Sequence, residues 1–143
     1  MPAALCHSAA EGVRRMGALW VGLGGALGAV ARYWVDLWVI WLAGGSFPWG
    51  TLAINVTGSA AIGVWLALTP ALTPLARAAT PSHLFVAVGV LGGFTTFSAF
   101  SGQTLLLAQA GEWGRAAAYV LASVALCLGA VWLAFTAATA LAR

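Results

Sequence analysis

Apolar residues in this chain run on for about the thickness of a membrane and are then interrupted by short polar turns. A helix needs about 20 consecutive apolar residues to cross a bilayer. Four such stretches are present: about Met16 to Ala43, Trp49 to Thr69, His83 to Gln109 and Trp113 to Leu141. Gly44-Gly45-Ser46-Phe47-Pro48 and Ala110-Gly111-Glu112 read as tight turns, while Pro70, Thr73, Pro74, Arg77 and Pro81 mark the longest loop. The pattern predicts an all-α membrane protein with four transmembrane helices in one domain, residues 16–143. Residues 1–15 read as a disordered extension, because Met16 directly precedes the first strong apolar run and Arg14 and Arg15 do not sit where a signal peptide has its charges.

The third stretch carries the break in the pattern. Gly92-Gly93-Phe94-Thr95-Thr96-Phe97-Ser98-Ala99-Phe100 places paired glycines and several hydroxyls where lipid-facing sequence has neither. Adjacent glycines weaken a helix, and a backbone break at membrane depth survives only when protein or a water-filled path surrounds it. The segment therefore predicts a third helix broken in mid-membrane that binds or conducts something.

Composition agrees with the spans and narrows the function. The chain is 62% hydrophobic and 6% charged, with a mean hydropathy of +0.97; a soluble domain carries about 25% charged residues. The net charge of +3 comes from six arginines, no lysine and three acids, too sparse for a nucleic-acid surface. Cys6 and Cys127 lie at opposite ends, which argues against a disulfide and leaves a metal site short of ligands. Four spans put both termini on one side. Counted from Met16, that side holds Arg77 and Arg143 and the other holds Arg32 and Arg115. Orientation follows the arginine and lysine imbalance, so a balanced count predicts insertion both ways and pairing with an inverted copy. Arg14 and Arg15 would shift the balance if they belong to the native chain.

Several polar residues inside the spans are candidates for chemistry. Asn55 is an uncharged amide that can donate and accept; taken alone it reads as a bond between helices. Phe97 and Phe100, three residues apart, share a face if helix resumes after the break. Isolated phenylalanines are ordinary filler, but Thr95, Thr96, Ser98 and Ser101 interleave with these rings. Ring edges carry partial positive charge, and with hydroxyl donors they suit a small, partly dehydrated anion. A lysine or arginine there would hold the ion too tightly to release it, whereas weak multiple contacts permit conduction. Tyr119, Ser123 and Cys127 make a polar stripe at four-residue spacing on the fourth span. Arg32 and Asp36 are one turn apart and are expected to pair. His83 opens the third span beside Pro81.

Three ordered motifs carry a family resemblance: Gly24-Gly25-Ala26-Leu27-Gly28-Ala29-Val30-Ala31-Arg32-Tyr33, Gly50-Thr51-Leu52-Ala53-Ile54-Asn55-Val56-Thr57-Gly58-Ser59, and the Gly92–Phe100 run. The chain resembles the Fluc (CrcB) fluoride channels over residues 16–141. The resemblance implies an antiparallel, dual-topology homodimer in the inner (plasma) membrane, with two pores exporting fluoride passively and so lowering its toxicity. It places Asn55, Phe97 and Phe100 on the fluoride path, Thr96 and Ser98 beside it, and Tyr119 and Ser123 on a polar track. Cys127 falls at the third place of that track, where a thiol is a weak donor. Arg32 matches the arginine near the aqueous vestibule. The carbonyls of Gly92 and Thr95 would hold a central structural sodium ion between the subunits.

Two other classes compete. A small four-span cation exporter needs a membrane-embedded carboxylate; Asp36 is the one candidate, and Arg32 lies one turn from it. A purely structural subunit leaves the Gly92–Phe100 run without a purpose. No nucleotide-binding loop and no nucleophile–base pair stand out in the spans, so an enzyme is the least expected class.

Overall fold

A computed structural model describes residues 2–69 and 80–142, with side chains described from Met16 onward. The helices are α1 (Pro2–Ala43), α2 (Trp49–Leu68), α3 (Pro81–His83), a π-helical segment (Leu84–Leu91), α4 (Gly92–Phe94), α5 (Phe97–Gln109) and α6 (Trp113–Leu141). No strand occurs among the described residues. Four stretches are long and apolar enough to cross a membrane: Met16–Ala43, Trp49–Leu68, Pro81–Gln109 and Trp113–Leu141. The helix α1 starts at Pro2, ahead of the boundary expected at Met16. The disordered extension expected over residues 1–15 falls outside the described side chains, as do Arg14 and Arg15. Loop residues 70–79, with Arg77, and the terminal Arg143 lie outside the described residues.

Local chemistry fixes the ends of these helices. Gly44 adopts φ +77 and its N–H returns to the carbonyl of Ile40 at 2.9 Å, a left-handed cap that only glycine enters without strain. Gly111, also at φ +77, closes α5 with two bonds, Gly111 N–H to Ala108 carbonyl and Glu112 N–H to Leu107 carbonyl, each 3.0 Å. That pair is a Schellman motif. At the start of the third span Thr80 accepts from the His83 amide, and Pro81 occupies the first helical position. The indole of Trp65 donates to His83 Nδ1 at 3.3 Å and ties the end of α2 to that start.

Two tight pairings organise the bundle. The first span lies against the π-helical half of the third, and α2 lies along α6. Glycine makes both approaches possible. A Cβ on Gly24 or Gly28 would run into the backbone carbonyls of Phe85 or Val90, and one on Gly89 would sit 2.9 Å from the Cα of Gly24. The small-xxx-small spacing of Gly24 and Gly28 thus serves a contact within one chain. Gly63 plays the same part for α2 against Val131 and Phe135.

The apolar core is small. Leu52, Phe100 and Tyr119 form it, with Phe47, Val56, Leu107 and Val120 packed around. Most large apolar side chains of α1 and α6, including Trp34, Trp38, Trp41 and Trp132, are exposed. A chain with so little interior and such an apolar exterior has lipid, not water, as its solvent. It is a multi-pass membrane protein.

Candidate functional site

The site is assembled where the third span leaves helical geometry. Thr95 (φ −79, ψ 156) and Thr96 (φ −150, ψ 114) are extended between α4 and α5. Backbone groups that leave the helical ladder need partners, and Asn55 of α2 supplies them. The Thr96 amide donates to Asn55 Oδ1 at 2.8 Å, and Asn55 Nδ2 donates to the Thr96 carbonyl at 3.1 Å. Backbone groups of fixed polarity on both sides settle which way the Asn55 amide faces. One Nδ2 hydrogen remains available. Gly58, one turn further on α2, leaves room for Thr95 Cγ2 and the Phe94 ring, so α2 can press against the break.

Two further hydroxyls complete the local network. Thr96 Oγ1 caps α5 by accepting from the Ala99 amide at 3.1 Å and lies 3.2 Å from Ser98 Oγ. The first-turn amides of Phe97 and Ser98 are then donors without an intrahelical partner. Ser101 is different: its hydroxyl returns to the Phe97 carbonyl at 2.9 Å and is occupied within its own helix.

An open cavity of about 480 Å³ lies beside this network, walled by α2, the third span and α6. Asn55, Thr96, Phe97, Phe100 and Ser123 all line it, as do Gly92 and Thr95. Phe97 is 79% exposed while Phe100 is 9% exposed, and their ring centroids are 5.3 Å apart. Tyr119 is fully buried and stands behind Phe100, at 5.2 Å. Its hydroxyl donates to Gln103 Oε1 at 2.9 Å. Ser98 and Tyr119 therefore adjoin the cavity through Thr96 and Phe100 and do not line it. Ser123 is 6% exposed, and its Oγ has no hydrogen-bond partner.

Arg32 departs from the pairing expected for it. Among the described residues the ion pair found is Arg115–Glu112, at 2.7 Å. Arg32 Nη1 donates instead to the Thr95 carbonyl, at 3.5 Å. Asp36 lies against Gly50 in the first turn of α2, where a Cβ would collide with Asp36 Oδ1. The positive end of the α2 dipole suits a carboxylate, which explains why Asp36 turns away from Arg32.

The break also decides which carbonyls are released. In a continuous helix the Gly92 carbonyl would receive the Thr96 amide, and the Thr95 carbonyl the Ala99 amide. Here the first amide goes to Asn55 and the second to Thr96 Oγ1. The Gly93 and Phe94 carbonyls likewise lose the Phe97 and Ser98 amides, so the oxygens that the resemblance assigns to sodium are two of four relieved of helical donors, and uncharged carbonyls suit a hard cation. The donor set fits such an ion, although Arg32 brings a positive charge to one of the two oxygens.

Sequence reasoning missed a second cluster, at the far end of the core. Arg115 bonds Glu112 and the Ser46 carbonyl, and its guanidinium carbon lies 5.9 Å from the Phe47 ring centre. Phe47 in turn meets Tyr119 edge to face, at 5.5 Å. Arg115, Glu112, Ser46 and Phe47, with Asp36 and Gln103, line a second cavity, of about 500 Å³. Gln103 was legible in principle, three residues beyond Phe100 on the same helix face.

Comparison with known proteins points one way. Residues 19–135 match the family model described as CrcB-like protein, Camphor Resistance (CrcB). A protein of Paramagnetospirillum magneticum named fluoride-specific ion channel FluC is 51% identical over 125 residues, covering 86% of this chain and 95% of the relative. One of the same name from Opitutus terrae is 51% identical over 123 residues, covering 86% and 92%. Another, from Methylocella silvestris, is 48% identical over 123 residues, covering 86% and 93%.

Proposed function

The chain belongs to the CrcB-like family, and on that premise we propose that it is a fluoride-selective ion channel of the cell's inner membrane. The observation that carries this reading is the cavity where Asn55, Phe97, Phe100 and Ser123 converge beside the Thr95–Thr96 break. Each offers a weak positive contact and none a formal charge. The spare Nδ2 hydrogen of Asn55, the ring edges, the Ser123 hydroxyl and the first-turn amides of α5 are donors to an anion that has shed part of its water. Fluoride is small and strongly hydrated, so many short donor contacts favour it over a larger halide. None of these contacts is strong enough alone to trap the ion.

Flow is passive and outward in this account, driven by the inside-negative potential and the ion's own gradient. Asp36, the one carboxylate described within a span, lies on α1 against the start of α2 and lines the second cavity, away from the break. It does not serve the mid-span proton exchange that a cation exporter needs.

The pore is completed by a second copy. Phe97 lines the cavity yet is 79% exposed, and the cavity is open, so another surface is needed to enclose an ion. The balanced arginines of the two sides favour an inverted copy, giving an antiparallel homodimer with two pores and a third span interrupted within the membrane. The Gly92 and Thr95 carbonyls of both copies would hold a sodium ion, which supplies a fixed positive charge near the anion route. The Asn55→Asp variant tests the reading. It places a negative charge beside the Thr96 amide, and fluoride efflux from liposomes, followed with a fluoride electrode, should be suppressed. Undiminished efflux removes Asn55 from the path.

A further inference from the structure

Hydroxyls in the spans divide by what they bond. Thr57, Ser101, Thr104, Thr136 and Thr139 return theirs to a carbonyl four residues back on the same helix. Ser123 does not. It is 6% exposed, its Oγ has no partner, and it lines the main cavity. A buried hydroxyl is ordinarily satisfied, and this one adjoins a cavity with room for a polar guest, water or an anion.

Cys127 lies one turn beyond Ser123 on the same wall of that cavity. It is half-buried and is the free thiol among the described residues. Along the stripe, burial loosens from Tyr119, fully enclosed, through Ser123 to Cys127. A guest in the cavity beside Ser123 has Cys127 in the same wall.

We infer that Cys127 is a modification site in the wall of the anion cavity, where a small thiol-reactive sulfur compound attaches and obstructs conduction. The inference rests on the channel reading above. The ligand class is the alkyl thiosulfonates and related activated disulfides. The Cys127 thiol gives its proton to water, and the thiolate attacks the sulfenyl sulfur. A new sulfur–sulfur bond forms, the bond to the sulfonyl group breaks, and a sulfinate leaves with the electron pair. The added group projects into a cavity that Ile62, Ala87 and Leu128 also line, and it takes volume that a partly hydrated ion needs.

The full chain in liposomes provides the test, with methyl methanethiosulfonate as the probe. Mass analysis should find one methylthio group on Cys127. Fluoride efflux should fall roughly tenfold or more, as obstruction of a narrow multi-site path demands, and a reducing thiol should restore it. Each variant is compared with its own untreated rate. Cys127→Ser should be indifferent to the reagent, Cys127→Ala serves if the serine variant does not purify, and Cys6→Ser should respond as the parent chain does. Efflux that persists with Cys127 fully modified overturns the inference. So does a Cys127 that stays unmodified in intact vesicles and reacts only after the protein is opened in denaturing detergent. Vesicles that hold their fluoride before any reagent is added overturn the channel reading instead, a result the untreated sample reports separately.

Discussion

The two halves of the third span are made differently. Leu84–Leu91 lies backbone to backbone on the first span, with Gly24, Gly28 and Gly89 at the contact. Phe97–Gln109 has no such bed: Phe97 is 79% exposed, and the segment is held by the Asn55–Thr96 bonds and by Phe100 against Tyr119. One half is a wall that cannot shift without breaking glycine contacts. The other is suspended from a few polar and aromatic anchors and keeps a face open to the cavity. A membrane protein with little interior can therefore concentrate rigidity in one place and leave donors free in another.

The largest effect in this comparison is expected on the glycine side. In Gly28→Leu the new side chain meets the Val90 carbonyl and the Phe94 amide, backbone that cannot rotate away. The cost should reach about 3 kcal/mol or more, the upper end for overpacking, and detergent-extracted protein should lose its monodisperse peak. Gly22→Ala, which meets nothing within 4 Å, should extract normally. Equal behaviour of the two would dissolve the distinction between the halves.

Next comes the suspension itself. Asn55→Ala leaves the Thr96 amide and carbonyl without their partner, at about 1–3 kcal/mol for each unpaired group. Both thermal stability and fluoride efflux should fall together. If stability falls while efflux stays at the parent rate, Asn55 is an anchor only.

The rings should separate by burial. Phe97→Ile and Phe100→Ile both remove a polarised ring edge and should both impair efflux. Phe100, 9% exposed in the core, should also lose stability, by about 1 kcal/mol; Phe97, 79% exposed, should lose almost none. The smallest effect is expected at the far end, where Arg115 and Glu112 are both well exposed. Arg115→Gln should change thermal stability by under about 1 kcal/mol.

Spans, turns and the polar cluster at residues 92–100 could be read from the chain because each rests on local composition. Gly44 and Gly111 occupy the positive-φ caps that turn-forming glycines suggest, and eight of the residues singled out border one cavity: Asn55, Gly92, Thr95, Thr96, Phe97, Phe100, Ser123 and Cys127. The remainder depended on contacts far apart in sequence. Nothing local tells that the amide of Asn55 meets Thr96, 41 residues away, or that Arg32 prefers the Thr95 carbonyl to a carboxylate one turn off. The π-helical turns of Leu84–Leu91 leave no mark on hydropathy, since a shift from four- to five-residue bonding changes no residue type. Spacing puts Tyr119 on a polar stripe, but its ring belongs to the core and its hydroxyl bonds Gln103.

The decisive measurement is halide release from liposomes containing the purified full-length chain, with fluoride and chloride electrodes reading the same vesicles. Rapid loss of fluoride with chloride retained is the predicted result. Retention of fluoride, or release of both ions at similar rates, contradicts the account.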